Sequence, residues 1–129
     1  MEARDIGKTL AGLGEMNFAE LEKFNDGHVG VFWTEGGPGS SPWELHPDTD
    51  ELLHILEGEA LITVLTDDGS VETRVAAGSL FVVPRGCWHK QQMPVRTRFL
   101  SCCTGRIAGL GSAVFIWMTC WRWWLPSTS

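Results

Sequence analysis

Three side chains in this sequence combine metal-binding chemistry with short, defined spacing: His46, Glu51 and His89. Two imidazoles and one carboxylate are the donor set of a facial triad, which holds a transition metal and leaves coordination positions open. Glu44 stands two residues before His46 and is a fourth candidate ligand. Such a set predicts a centre that polarises or activates an oxygen ligand on a divalent ion. Glu44 would serve there as a ligand, as an acceptor behind a ligand, or as the catalytic general base.

Donors this far apart in the chain meet only if strands deliver them. The segment WELH reads as a strand, whose period of two puts Glu44 and His46 on one face and Trp43 and Leu45 on the other. PDTD makes a turn, and ELLHILEG returns with Glu51, Leu53 and Ile55 on one face and Leu52, His54 and Leu56 on the other. His54 is thereby turned away from the site, towards a sheet or subunit contact. SLFVVP is an apolar run of strand length ended by Pro84, and PRGCWH turns so that His89 opens a new segment.

The other elements follow the same signals. HVGVFW is a strand after the turn residues Asn25-Asp26-Gly27, and EALITVLT and the stretch from Val71 form a hairpin at Asp67-Asp68-Gly69. VRTRFLSC alternates, with Val95, Thr97 and Phe99 on one face. MNFAELEKF predicts a short helix with Asn17 as N-cap, because Phe18, Leu21 and Phe24 recur every three residues. Residues 1–15 carry no strong period and are expected to be poorly ordered or an extension packed on a partner. The loop TEGGPGSSP lacks GK[ST] and a following helix, so it reads as a connection and not as a phosphate cradle.

The joint spacing resembles the cupins. Their first motif is matched by His46, Glu51 and Gly58, with Glu44 in place of the first histidine and Pro38 at the early glycine. Their second is matched by Gly78, Pro84, Gly86 and His89, with Met93 in place of the terminal asparagine. The resemblance implies an all-β fold, a jelly-roll β-barrel with a short N-terminal helical segment. It divides the chain into an extension with a short helix (1–28), the barrel (29–103) and a Trp-rich tail (104–129). It further implies that His46, Glu51 and His89 bind a divalent metal (iron, manganese, nickel or zinc). The carboxylate of Glu44 makes the set harder and favours manganese or iron(II).

On this resemblance the chain is a small metal-binding cupin, a divalent-metal-dependent enzyme with dioxygenase- or isomerase-like chemistry on a small oxygen-rich metabolite. The alternative is a non-catalytic module that binds or senses a small molecule. Dimerisation through edge strands is common in the family, so a homodimer is expected. Gly58, Gly78, Pro84 and Gly86 are read as architecture.

Composition narrows the partners. A net charge of -6 with 20% charged residues offers no basic face to nucleic acid. Glu2 and Asp5 interrupt the N-terminus, which does not read as a secretory signal, so a cytoplasmic location is expected. Cys87, Cys102, Cys103 and Cys120 show no CxxC spacing and are read as reduced thiols. Trp33, Phe81, Trp88, Met93 and Phe99 are candidates for an apolar lining, and Gln91 and Gln92 for orienting a substrate. Arg85 sits in a turn and His28 beside one; both are read as exposed.

The tail has no acidic residue and carries Trp117, Trp121, Trp123 and Trp124. Its apolar run, Ala108 to Cys120, falls short of the roughly 20 residues a membrane span needs. An interface segment and the product of an altered reading frame are the other readings of it, and membrane association is not expected.

Overall fold

Alternating apolar and polar residues turn most of this chain into antiparallel strands, and glycine and paired acidic residues turn it back on itself. The computed structural model describes residues 1–103; the tail at 104–129 lies outside the described residues. Among the described residues, one helix, α1 (Ile6–Ala11), precedes eight strands: β1 (Phe18–Phe24), β2 (Gly27–Thr34), β3 (Glu51–Glu57), β4 (Glu59–Thr66), β5 (Gly69–Ala76), β6 (Leu80–Val83), β7 (His89–Gln92) and β8 (Thr97–Cys103). They form a five-stranded sheet in the order β1-β2-β8-β3-β6 and a three-stranded sheet in the order β5-β4-β7. The expected all-β jelly roll with a short helix is observed.

The core lies between the sheets. Phe32, Leu53, Ile55 and Phe99 from the larger sheet meet Ala60, Ile62, Val64 and Val75 from the smaller one, and the Phe32 and Phe99 rings stand 5.0 Å apart. On β3 the alternation is clean: Glu51, Leu53 and Ile55 are buried while Leu52, His54 and Leu56 are half-buried. His54 faces away from the interior, as its spacing predicts. The β4–β5 hairpin closes at Asp67-Asp68, with Thr66 paired to Gly69.

Three expectations need correction. The segment over Phe18–Phe24 is a strand and not a helix, because it pairs with β2 from Phe18↔Phe32 to Phe24↔Gly27. A bulge between Glu20 and Glu22 leaves Leu21 as the extra residue, so a period of two is offset into the three-residue spacing that imitated a helix. The helix lies earlier, in residues read as an extension, where the Asp5 side chain accepts a hydrogen bond from Lys8 N at 2.9 Å and caps it. Finally, WELH is not a regular strand. Residues 40–44 run beside β7 but form only the isolated bridges Ser40↔Gln92 and Glu44↔His89, since Pro42 has no N–H to continue a ladder.

The glycine-rich loop is anchored to the same strand. Gly37 N donates to Met93 O, Ser41 N to Gln91 O, and Gln92 Nε2 to Pro38 O.

Candidate metal centre

The donors reach the interior from three pieces of chain. Glu51 opens β3 in the larger sheet and His89 opens β7 in the smaller one. Between them, residues 44–46 cross with Glu44 and His46 buried and Trp43 and Leu45 half-buried, so the period of two survives without a regular strand. The backbone of this crossing is clamped. Glu44 N donates to His89 O at 2.7 Å, His89 N returns to Glu44 O at 3.0 Å, and Gly86 N donates to His46 O at 2.8 Å.

Gly86 has a φ of 73°, the left-handed region that suits glycine, which is why the Pro84–Gly86 turn can present its N–H to His46. Arg85 N donates to Asp50 Oδ1 at 2.8 Å, so the turns before Glu51 and before His89 hold each other. The Arg85 side chain is 67% exposed, as expected for a rim position.

The four donors converge. Ligand atoms of Glu44, His46, Glu51 and His89 all lie within 4.8 Å of one another, and all four residues are buried. His46 Nε2 is 3.3 Å from Glu51 Oε2, and His89 Nε2 is 3.6 Å from both Glu44 Oε2 and Glu51 Oε1. The imidazole rings stack at 5.4 Å. These contacts are long for hydrogen bonds, and Nε2 of each histidine is buried without a well-formed one. His89 Nδ1 lies 3.2 Å from Cys87 O, a contact that fixes Nδ1 as an N–H and turns Nε2 to the carboxylates. Buried nitrogens without well-formed hydrogen bonds, beside two carboxylates, fit a cation held among them.

Electrostatics agree with the geometry. Burial alone would depress the His89 imidazole, but its contacts with Glu44 and Glu51 prevail and push it up to about 10. Burial works to raise the Glu51 carboxyl, yet His46 and His89 hold it well below the usual carboxylate range. Glu44 is raised by burial, against the pull of His89 and with the repulsion of Glu51. The cluster therefore holds a proton on His89 where a cation would otherwise sit.

One neighbour was not singled out from sequence. Ser101 Oγ donates to Glu51 Oε2 at 3.4 Å and is buried on the inner face of β8. The alternation Thr97, Phe99, Ser101 is the signal that places it there.

Other expectations divide. Phe99 is core, and Phe81 and Met93 pack against it. Trp88 is 46% exposed and lines nothing inside. Trp33 donates from Nε1 to Leu13 O and helps dock the residues after α1. His28, expected at the surface, is buried because β2 is covered on that side by Phe18, whose ring meets its imidazole edge-on at 6.1 Å. Cys87 and Cys102 are unbridged, as expected. No helix among the described residues is long and apolar enough to cross a membrane.

Comparison with known proteins places these features in context. The model of the cupin domain matches residues 31–98. The uncharacterized protein YdbB of Bacillus subtilis (strain 168) is 37% identical over 59 residues, which are 46% of this chain and 50% of that protein. The chain spans half or less of the curated relatives it matches. A cupin-2 domain containing protein from Shewanella frigidimarina superposes with a TM-score of 0.58 at 22% identity, over 74% of this chain and 87% of that one. Oxalate oxidase superposes with a TM-score of 0.56 at 23% identity, over 65% of this chain and 44% of that one.

Proposed function

The chain belongs to the cupin domain family, and from that premise we propose that it is a divalent-metal-dependent enzyme acting on a small oxygen-rich metabolite. The observation that carries the reading is the convergence of four buried donors, with both imidazole Nε2 atoms turned to the same point. His46, Glu51 and His89 hold the ion. A metal bound there supplies Lewis-acid polarisation or oxygen activation.

Glu44 is the catalytic residue in this reading, because burial raises its carboxyl and so suits it to exchange a proton with a substrate oxygen. Ser101 keeps the Glu51 carboxylate oriented. Leu53, two residues on from Glu51 on the same buried face of β3, places the apolar core next to the site. The fold shared with oxalate oxidase supports a small acid as the kind of substrate sought.

The reading includes a cytoplasmic homodimer. Among the described residues, strand β6 is an edge of the larger sheet and exposes Leu80 and Val82 at 61% and 44%, an apolar edge that a second copy would bury.

The test is elemental analysis of the purified protein beside His46→Ala/His89→Ala, with sedimentation velocity on the same samples. Near-stoichiometric metal in the wild type and none in the variant is expected, with the wild type sedimenting as a dimer. Wild type that takes up no metal even after reconstitution would overturn the enzyme reading; a monomer would overturn the dimer alone.

A further inference from the structure

Gln91 is a buried amide that the fold does not use. It is 4% exposed, and both Oε1 and Nε2 are buried without a hydrogen-bond partner. Its backbone is satisfied, with Gln91 N accepted by Ser41 Oγ at 3.0 Å and Gln91 O accepting from Ser41 N at 2.7 Å. Only the side chain is left over. Buried polar groups in native proteins are nearly always paired, and an amide lacking every partner is costly where an apolar residue would pack well. The neighbours are of that kind: Ile62 is its partner in register, and Met93, two residues on, packs against the core.

Its position tells what would pair with it. Strand alternation puts Gln91 on the same inward face as His89, while Lys90 and Gln92 face out beside Trp43 and Pro38. Two residues along a strand is roughly 7 Å, so a ligand of a few heavy atoms held at the cluster would extend towards the amide.

We propose that Gln91 is a substrate-positioning residue that gives one hydrogen bond to the ligand and accepts one from it. It selects small, uncharged or singly negative molecules that carry a hydroxyl or amide hydrogen beside a carbonyl or carboxylate oxygen. The proposal rests on the metal-site reading above.

The donor requirement follows from the amide itself: Nε2 can serve any oxygen, but Oε1 is satisfied only by a ligand N–H or O–H. The charge limit follows from the surroundings. Glu44 and Glu51 together balance a divalent ion, and no lysine or arginine is among the buried residues described. Each negative charge on the ligand would therefore be buried in excess of that balance, and two cost more than one.

The test compares wild type with Gln91→Met, a flexible chain of similar length without hydrogen-bonding capacity, and with Gln91→Leu as a second variant. Each is reconstituted with manganese and titrated calorimetrically with glycolate, oxamate and oxalate. Glycolate and oxamate carry one charge and a donor; oxalate carries two charges and none. Both variants are expected to bind manganese like wild type and, free of ligand, to melt at the same or a higher temperature. They should bind glycolate and oxamate at least tenfold more weakly but lose less than threefold for oxalate.

Three outcomes would overturn the inference while leaving the metal site standing. These are a lower melting temperature with ligand affinities unchanged, an equal loss for all three probes, and a manganese-loaded wild type that binds none of them. A wild type that binds no manganese would overturn the metal-site reading, and this proposal with it.

Discussion

A proton and a bound divalent cation would compete for the same atom, Nε2 of His89. In the metal-free protein that imidazole is raised from its ordinary 6.5 to about 10 by Glu44 and Glu51, against the effect of burial. A group whose pKa rises on folding stabilises the folded state fully below its unfolded value and loses that contribution as pH climbs through the folded one. The metal-free protein should therefore become less stable between pH 6.5 and about 10. Metal binding needs the neutral imidazole and releases the proton, so affinity grows over the same range. Chemical denaturation at several pH values, with chelator and with manganese, should give two stability curves that diverge as pH rises; parallel curves would contradict the pairing of His89 with its carboxylates. The four donors were legible in the sequence because a two-residue spacing and two short motifs survive without knowledge of the fold. Ser101 was not legible, because a serine fifty positions from Glu51 gains a role only when β8 is laid beside β3.

At the scale of elements, periodicity was a sound guide wherever a strand ran regularly and failed where it was interrupted. β3, the β4–β5 hairpin and β8 fall where alternation and the Asp-Asp-Gly turn place them. The bulge in β1 shifted its apolar residues into a three-residue spacing, and Pro42 reduced WELH to isolated bridges while leaving the facing of Glu44 and His46 intact. Helix α1 is six residues long and buries only Leu10, too little apolar face to produce a pattern. Gly58, by contrast, can be read only as architecture. Its φ is 81°, and a Cβ there would stand 2.6 Å from Thr97 Oγ1 and 2.9 Å from Thr97 Cα, besides meeting the Arg96 carbonyl. Thr97 is wholly buried and has no room to retreat. Gly58→Ala combines the left-handed penalty of about 1–2 kcal/mol with this overlap, so it should destabilise the fold by ~2 kcal/mol or more. Urea unfolding would read this as a lower midpoint at unchanged slope, and a midpoint equal to wild type would mean that the β3–β4 connection has slack the structure does not show.

Across the whole molecule, the candidate centre joins both sheets and the segment that crosses between them. Glu51 belongs to the five-stranded sheet, His89 to the three-stranded one, and Glu44 and His46 to a crossing segment held by backbone bonds to His89 and Gly86. β7 is four residues long, lies at the edge of its sheet, and pairs with β4 over four positions. Its other neighbour is the segment at 40–44, which contributes only two bridges. In the larger sheet, β8 is flanked by long ladders to β2 and β3. Short edge elements with few partners open first. A ligand that binds only the closed form stabilises it by about 2.7 kcal/mol when present at a hundredfold its Kd. Because the ion would be gripped by both β7 and the crossing segment, that stabilisation should fall on them more than on β8. Amide exchange at Glu44, Gly86 and His89 should accelerate by roughly a hundredfold or more when metal is stripped, while amides of Val31, Leu53 and Phe99 change little. Uniform acceleration would mean that the metal supports global folding, and no change at the three amides would mean that the cluster is rigid without an ion and that its nitrogens are held by the carboxylates alone.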